Sequence, residues 1–86
     1  MKISVEELTK GLRKFLEYYL FEPLDETTIC ALESQIGNIL ESKDVDLKEY
    51  KLRSTPLDSS TLKINLQFFA ENAYDIDFYL ARASYE

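Results

Sequence analysis

The stretch 61-TLKINLQFFAENAYDIDFYLAR-82 decides the fold. From Thr61 to Phe69, Leu62, Ile64, Leu66 and Phe68 alternate with Lys63, Asn65 and Gln67. From Tyr74 to Arg82, Tyr74, Ile76, Phe78 and Leu80 alternate with Asp75, Asp77 and Tyr79. A period of two sends successive side chains to opposite faces, so each segment predicts a strand with one buried face. Antiparallel pairing must keep both apolar sets together. Pairing Phe68 with Ile76, Leu66 with Phe78 and Ile64 with Leu80 does so, and leaves a short loop around Glu71-Asn72-Ala73. Phe69 and Tyr79 then point away from the core. They are either partner-facing aromatics or ordinary cross-strand packing residues.

Upstream, the period changes to that of a helix. Ser4 followed three residues later by Glu7 is a capping box, flanked by Ile3 and Leu8 at the positions of a hydrophobic staple. Val5, Leu8, Leu12, Phe15, Leu16, Tyr19 and Leu20 follow at helical spacing, opposite Lys10, Arg13, Lys14 and Glu17. Pro23 turns Glu22 away from helical angles, which predicts a helix end near Phe21. Asp25 caps a second helix, with Glu26 favourable in its first turn. Its buried stripe is Ile29, Leu32, Ile36, Ile39 and Leu40, and Ser42, Lys43 and Asp44 close it. Between Leu47 and Arg53, Tyr50 and Leu52 alternate with charge, which predicts an edge strand. The expected fold is α+β: two N-terminal helices packed on one face of a small antiparallel three-stranded sheet, in the order ααβββ. No internal repeat or low-complexity segment is present, and 86 residues make a single domain spanning 1–86.

Composition narrows the function. Sixteen acids against ten bases give a net charge of −6, without the basic stripe that phosphate contacts require. The same charge disfavours an anionic membrane surface, and no apolar run approaches the roughly 18 residues that span a bilayer. Glu6 and Glu7 follow the first residues too closely for a signal peptide. The lone Cys30 suits a reducing compartment.

Candidate chemistry is scarce. There is no histidine, hence neither the commonest general base nor the commonest metal ligand. Cys30 has no His partner and lies beside Ile29 on a helix, where a small buried filler is expected. Asp75 and Asp77 share a strand face that reads as solvated. Asp44 and Asp46 lack the glycine and the later glutamate of a calcium loop. Gly11 and Gly37 both fall in helical segments, so no phosphate-cradling loop is present. The expectation is a non-enzymatic protein without cofactor or metal.

At Leu20-Phe21-Glu22-Pro23-Leu24-Asp25-Glu26-Thr27-Thr28 the chain resembles the sheath-initiating, lysozyme-like baseplate wedge proteins of contractile phage tails. That family has a Phe-Glu-Pro-Asn-Asp-like segment between two helices and then a strand pair written like Leu62 to Phe69 and Ile76 to Leu80. The resemblance runs from about Leu16 to Ala83, and the C-terminal domain of tail sheath proteins is similar. Where the family carries Glu-Pro-Arg after its second helix, this chain has Glu41-Ser42-Lys43. Lysine does not replace arginine in a bidentate pair. The family's longer N-terminal segment is also missing, which fits a trimmed or divergent member.

The resemblance implies a virion structural protein of a tail baseplate, or of a related injection machine, assembled in the host bacterial cytoplasm. Its sheet would be completed by strands of sheath or wedge subunits, and it would template sheath assembly. Expected partners are other tail or baseplate proteins, with no nucleic acid and no membrane. The expected partner-binding residues are Phe69, Tyr79, Glu41 and Lys43. The alternative is a small acidic inhibitor or adaptor occupying a basic site on a host protein, although bases interrupt the acids on both helices.

Overall fold

The computed structural model describes residues 3–19 and 25–81. The predicted helix end near Phe21, the Phe21-Glu22-Pro23 segment, Leu20 and Arg82 lie outside them. Helix α1 spans Val5–Leu16 and runs into a 3-10 turn at Glu17–Tyr19; helix α2 spans Glu26–Leu40. Strands β1 (Tyr50–Pro56), β2 (Thr61–Ala70) and β3 (Asn72–Ala81) form one antiparallel sheet in that spatial order. The architecture is the expected ααβββ.

Both helix starts form through the capping residues. Ser4 Oγ accepts the Glu7 N–H at 3.1 Å and Asp25 Oδ1 accepts that of Thr28 at 2.8 Å, each satisfying one otherwise orphaned donor. That hydrogen bond holds the Asp25 carboxyl below its usual range. Glu6 and Glu7 at the start of α1, and Arg13 and Lys14 at its end, complement the helix dipole. Leu8, Leu12 and Leu16 on α1 and Leu32, Ile36 and Leu40 on α2 are buried, while Phe15, Tyr19, Ile29 and Ile39 pack at the margin. The Tyr19 hydroxyl donates to Gln35 Oε1 at 2.8 Å and ties the two helices together.

Cys30 is exposed, contrary to the buried filler expected of it. The reason is angular. At 100° per residue, Cys30 lies about 200° from Leu32, on the far side of the Leu32, Ile36, Leu40 stripe.

The connection after α2 also differs from expectation. Asp46 takes a positive φ of 50°, and the Leu47 N–H donates to the Leu40 carbonyl at 2.8 Å. The backbone at Leu47 is therefore engaged by the turn, and β1 begins at Tyr50 rather than Leu47. The same turn buries Val45 and Leu47 in the core.

In the sheet the inward set is Leu62, Ile64, Leu66 and Phe68 on β2 with Tyr74, Ile76, Phe78 and Leu80 on β3, as the alternation requires. The register is Phe68 with Tyr74, Leu66 with Ile76, Ile64 with Phe78 and Leu62 with Leu80. This is two residues tighter than the expected pairing. A two-residue slip leaves every side chain on its own face, so alternation cannot choose between the two registers. The turn chooses: Glu71 adopts φ 66° and reverses the chain between the paired Ala70 and Asn72. On the other side of β2, β1 places Tyr50, Leu52, Ser54 and Pro56 inward, opposite Phe68, Leu66, Ile64 and Leu62.

Candidate interaction surface

The helices cover the inward face of the sheet, and the other face is open. Its rows follow from the register: Lys51, Gln67 and Asp75; Arg53, Asn65 and Asp77; Thr55, Lys63 and Tyr79. Charge is thereby sorted across the sheet, cationic on β1, mostly amide in the middle and anionic on β3. Asn65 Nδ2 donates to Asp75 Oδ1 at 2.5 Å and to Asp77 Oδ1 at 2.8 Å, and Gln67 Nε2 donates to Asp75 Oδ2 at 3.3 Å. Lys63 Nζ lies 3.9 Å from Asp77 Oδ2. The two aspartates are thus held from the middle strand by hydrogen bonds from Asn65 and Gln67 and by the Lys63 ion pair. Lys51, Arg53 and Lys63 share this face with them, so it presents no continuous acidic stripe of the kind a nucleic-acid mimic would use.

Phe69 and Tyr79 both lie on this open face, 67% and 60% exposed. They are not neighbours. Phe69 pairs with Ala73 near the hairpin turn and Tyr79 pairs with Lys63, six residues or about 20 Å along β2. Glu41 and Lys43 follow the end of α2, on the helix side of the sheet. Glu41 is occupied internally: its Oε2 accepts the Tyr50 hydroxyl at 3.3 Å. Partial burial first, and then the Glu41 charge, push the Tyr50 phenol above its ordinary value. The four candidate residues therefore occupy three separate places, not one site.

The two sheet edges are unlike. β1 is seven residues long, carries Lys51 and Arg53 and ends in Pro56, features that blunt an edge against pairing. β3 is ten residues long, with no proline, lysine or arginine. No described strand pairs with its outer side. Tyr74 and Ile76 are only half-buried there, whereas their β2 partners Phe68 and Leu66 are buried.

A hollow of about 360 Å3 between α1 and β3 is lined by Arg13, Leu16, Asp77, Phe78 and Tyr79. Phe78 faces inward while Asp77 and Tyr79 face outward, so a hollow touching all three wraps the free edge. The Arg13 guanidinium lies 5.9 Å from the centroid of the Phe78 ring and forms the helix-side wall. Sequence reasoning missed Arg13 and the half-buried edge residues. Their signal was present only in the pairing order, since β3 carries no lysine, arginine or proline to mark it locally as an edge.

A second hollow, of about 680 Å3, opens where β1 begins and leaves Phe69 without a β1 neighbour; Lys48, Lys51, Phe69 and Asp75 are among its walls. Among the described residues no group of three or more His, Cys, Asp or Glu side chains is placed to hold a metal ion. No described helix is long and apolar enough to cross a membrane. Comparison of the chain with protein-family models, with curated proteins and with solved structures finds no match.

Proposed function

We propose that this domain is a structural assembly protein that accepts a strand from a neighbouring subunit, in the setting of a contractile tail baseplate or a related injection machine. The observation that carries the reading is the asymmetry of the sheet. One face is covered by two helices, one edge is blunted, and the other is a ten-residue strand with whose outer side no described strand pairs. Backbone hydrogen bonds along such an edge supply affinity, and alternate side-chain positions supply register. The helix-helix-sheet order, the strand pair and the resemblance around Phe21-Glu22-Pro23 favour a sheath or wedge subunit as the partner.

The test is to polymerise a tail sheath protein in the presence and absence of this chain, following length and rate by sedimentation and electron microscopy. Seeded, faster assembly is expected, weakened by Tyr79→Glu at the exposed edge. Sheath polymerisation indifferent to the chain would refute the assignment.

A further inference from the structure

We infer that the strand accepted at β3 is amphipathic in a defined sense, with lysine or arginine on its outward positions alternating with apolar residues on its inward ones. The inference rests on the strand-accepting reading above and names the chemistry of the partner. Outward, β3 presents Asp75 and Asp77, two residues apart on one face. Opposite-charge pairs directly across two strands are favourable and like-charge pairs are not. Inward, the same edge offers the half-buried Tyr74 and Ile76, and then Phe78 and Leu16 inside the hollow beneath Arg13. An apolar side chain over Tyr74 and Ile76 removes their exposed hydrocarbon from water.

Self-pairing is disfavoured by the same charges. A two-fold β3–β3 contact centred near Ile76 sets Asp75 and Asp77 against the Asp77 and Asp75 of the second copy. That register is therefore disfavoured for a second copy of β3 while a basic strand remains acceptable in it, and discrimination of this sort needs a repulsive element as well as an attractive one. Asn65, Gln67 and Lys63 do not exhaust the aspartates. Each ionised carboxylate has about four lone-pair sites, and the described contacts number two at Asp75 and two at Asp77.

The probes are four end-blocked nonapeptides, the last two differing only in the phase of N-methylation. One alternates lysine with valine, one alternates glutamate with valine, and two are the lysine peptide N-methylated at alternate residues, one in each phase, to remove the ladder donors. Binding is read on the full chain by amide-resolved NMR titration and hydrogen exchange. The lysine peptide is expected to protect β3 amides and to bind about tenfold more tightly than the glutamate peptide. N-methylation should abolish protection in one phase.

Asp75→Asn with Asp77→Asn, which retains acceptors for Asn65 and Gln67, should erase the preference without unfolding the sheet. Asp75→Lys with Asp77→Lys should reverse it. Equal protection of β3 by both peptides would overturn the charge rule while leaving strand addition standing. Protection of β3 by neither peptide, or protection confined to β1, would overturn both.

Discussion

Gly37 of α2 sits beneath Tyr50 of β1, and replacing it with alanine tests the contact that joins the helical layer to the sheet edge. A glycine in a helix interior costs about 0.8–1.0 kcal/mol relative to alanine. Gly11, inside α1, has nothing within 4 Å of the position a Cβ would take. Gly11→Ala should therefore stabilise the domain by most of that amount, raising Tm by about 4–8 °C per kcal/mol for a chain of this size. At Gly37 the added Cβ would lie 3.1 Å from the Tyr50 hydroxyl, which is itself held by Glu41 at 3.3 Å.

The hydroxyl must give way by a few tenths of an ångström and stretch an already long hydrogen bond. Gly37→Ala is accordingly expected to yield little net change in the native background. Tyr50→Phe removes the obstructing oxygen, so Gly37→Ala in that background should recover about 0.5–1 kcal/mol, a coupling of the size found for residues in contact. With no tryptophan in the chain, urea unfolding is best followed by circular dichroism at the helix band. A slope of about 1 kcal/mol/M makes the coupling a midpoint shift of about 0.5–1 M. If Gly37→Ala stabilises as strongly as Gly11→Ala, with or without the tyrosine hydroxyl, then Tyr50 does not lie over α2 and the packing described for β1 is wrong.

Leu66, on the middle strand and fully buried, should lose about 2–5 kcal/mol on truncation to alanine. Against the 5–15 kcal/mol typical of a whole domain, that should move the midpoint of the same denaturation curve to markedly lower urea at an unchanged slope. Alkaline stability should report on Tyr50. Its phenol is raised in the folded chain, so its contribution is fully present below the unfolded value near 10 and is lost as pH climbs through the higher folded value. Tyr50→Phe should flatten that part of the stability profile, and identical profiles for the two proteins above pH 10 would contradict the contact. Cys30, being exposed, should react with a thiol reagent in native buffer at close to the rate measured in urea; slow, unfolding-limited labelling would restore the buried assignment.

Much of the architecture is written locally. Ser4 and Asp25 mark both helix starts because a capping side chain acts on an amide only two or three residues away. The alternation of Leu62 to Phe68 and of Tyr74 to Leu80 settles which face is buried, because strand periodicity is a property of the backbone itself. Adjacency to Ile29 does not bury Cys30, because helical angle and not sequence neighbourhood sets which face a residue takes.

Alternation puts Phe69 and Tyr79 on the open face, where they are found, but does not fix their separation. Distance along a sheet follows from register, and register in steps of two is invisible to alternation. It took the positive φ of Glu71 to set it.

The open hairpin surface, from which the reading of this chain starts, thus has two origins. By itself the sequence determined the elements, their order and, along the two hairpin strands, the sorting of side chains inward or outward, since caps and periodicities act within a few residues. Only the tertiary structure decided that β2 is central and β3 the free edge, that Lys51 and Arg53 lie across the sheet from Asp75 and Asp77, and that Arg13 of α1 overhangs the edge. Those relations join residues up to 66 positions apart, Arg13 to Tyr79, and arise only when burial of the common core brings the layers together.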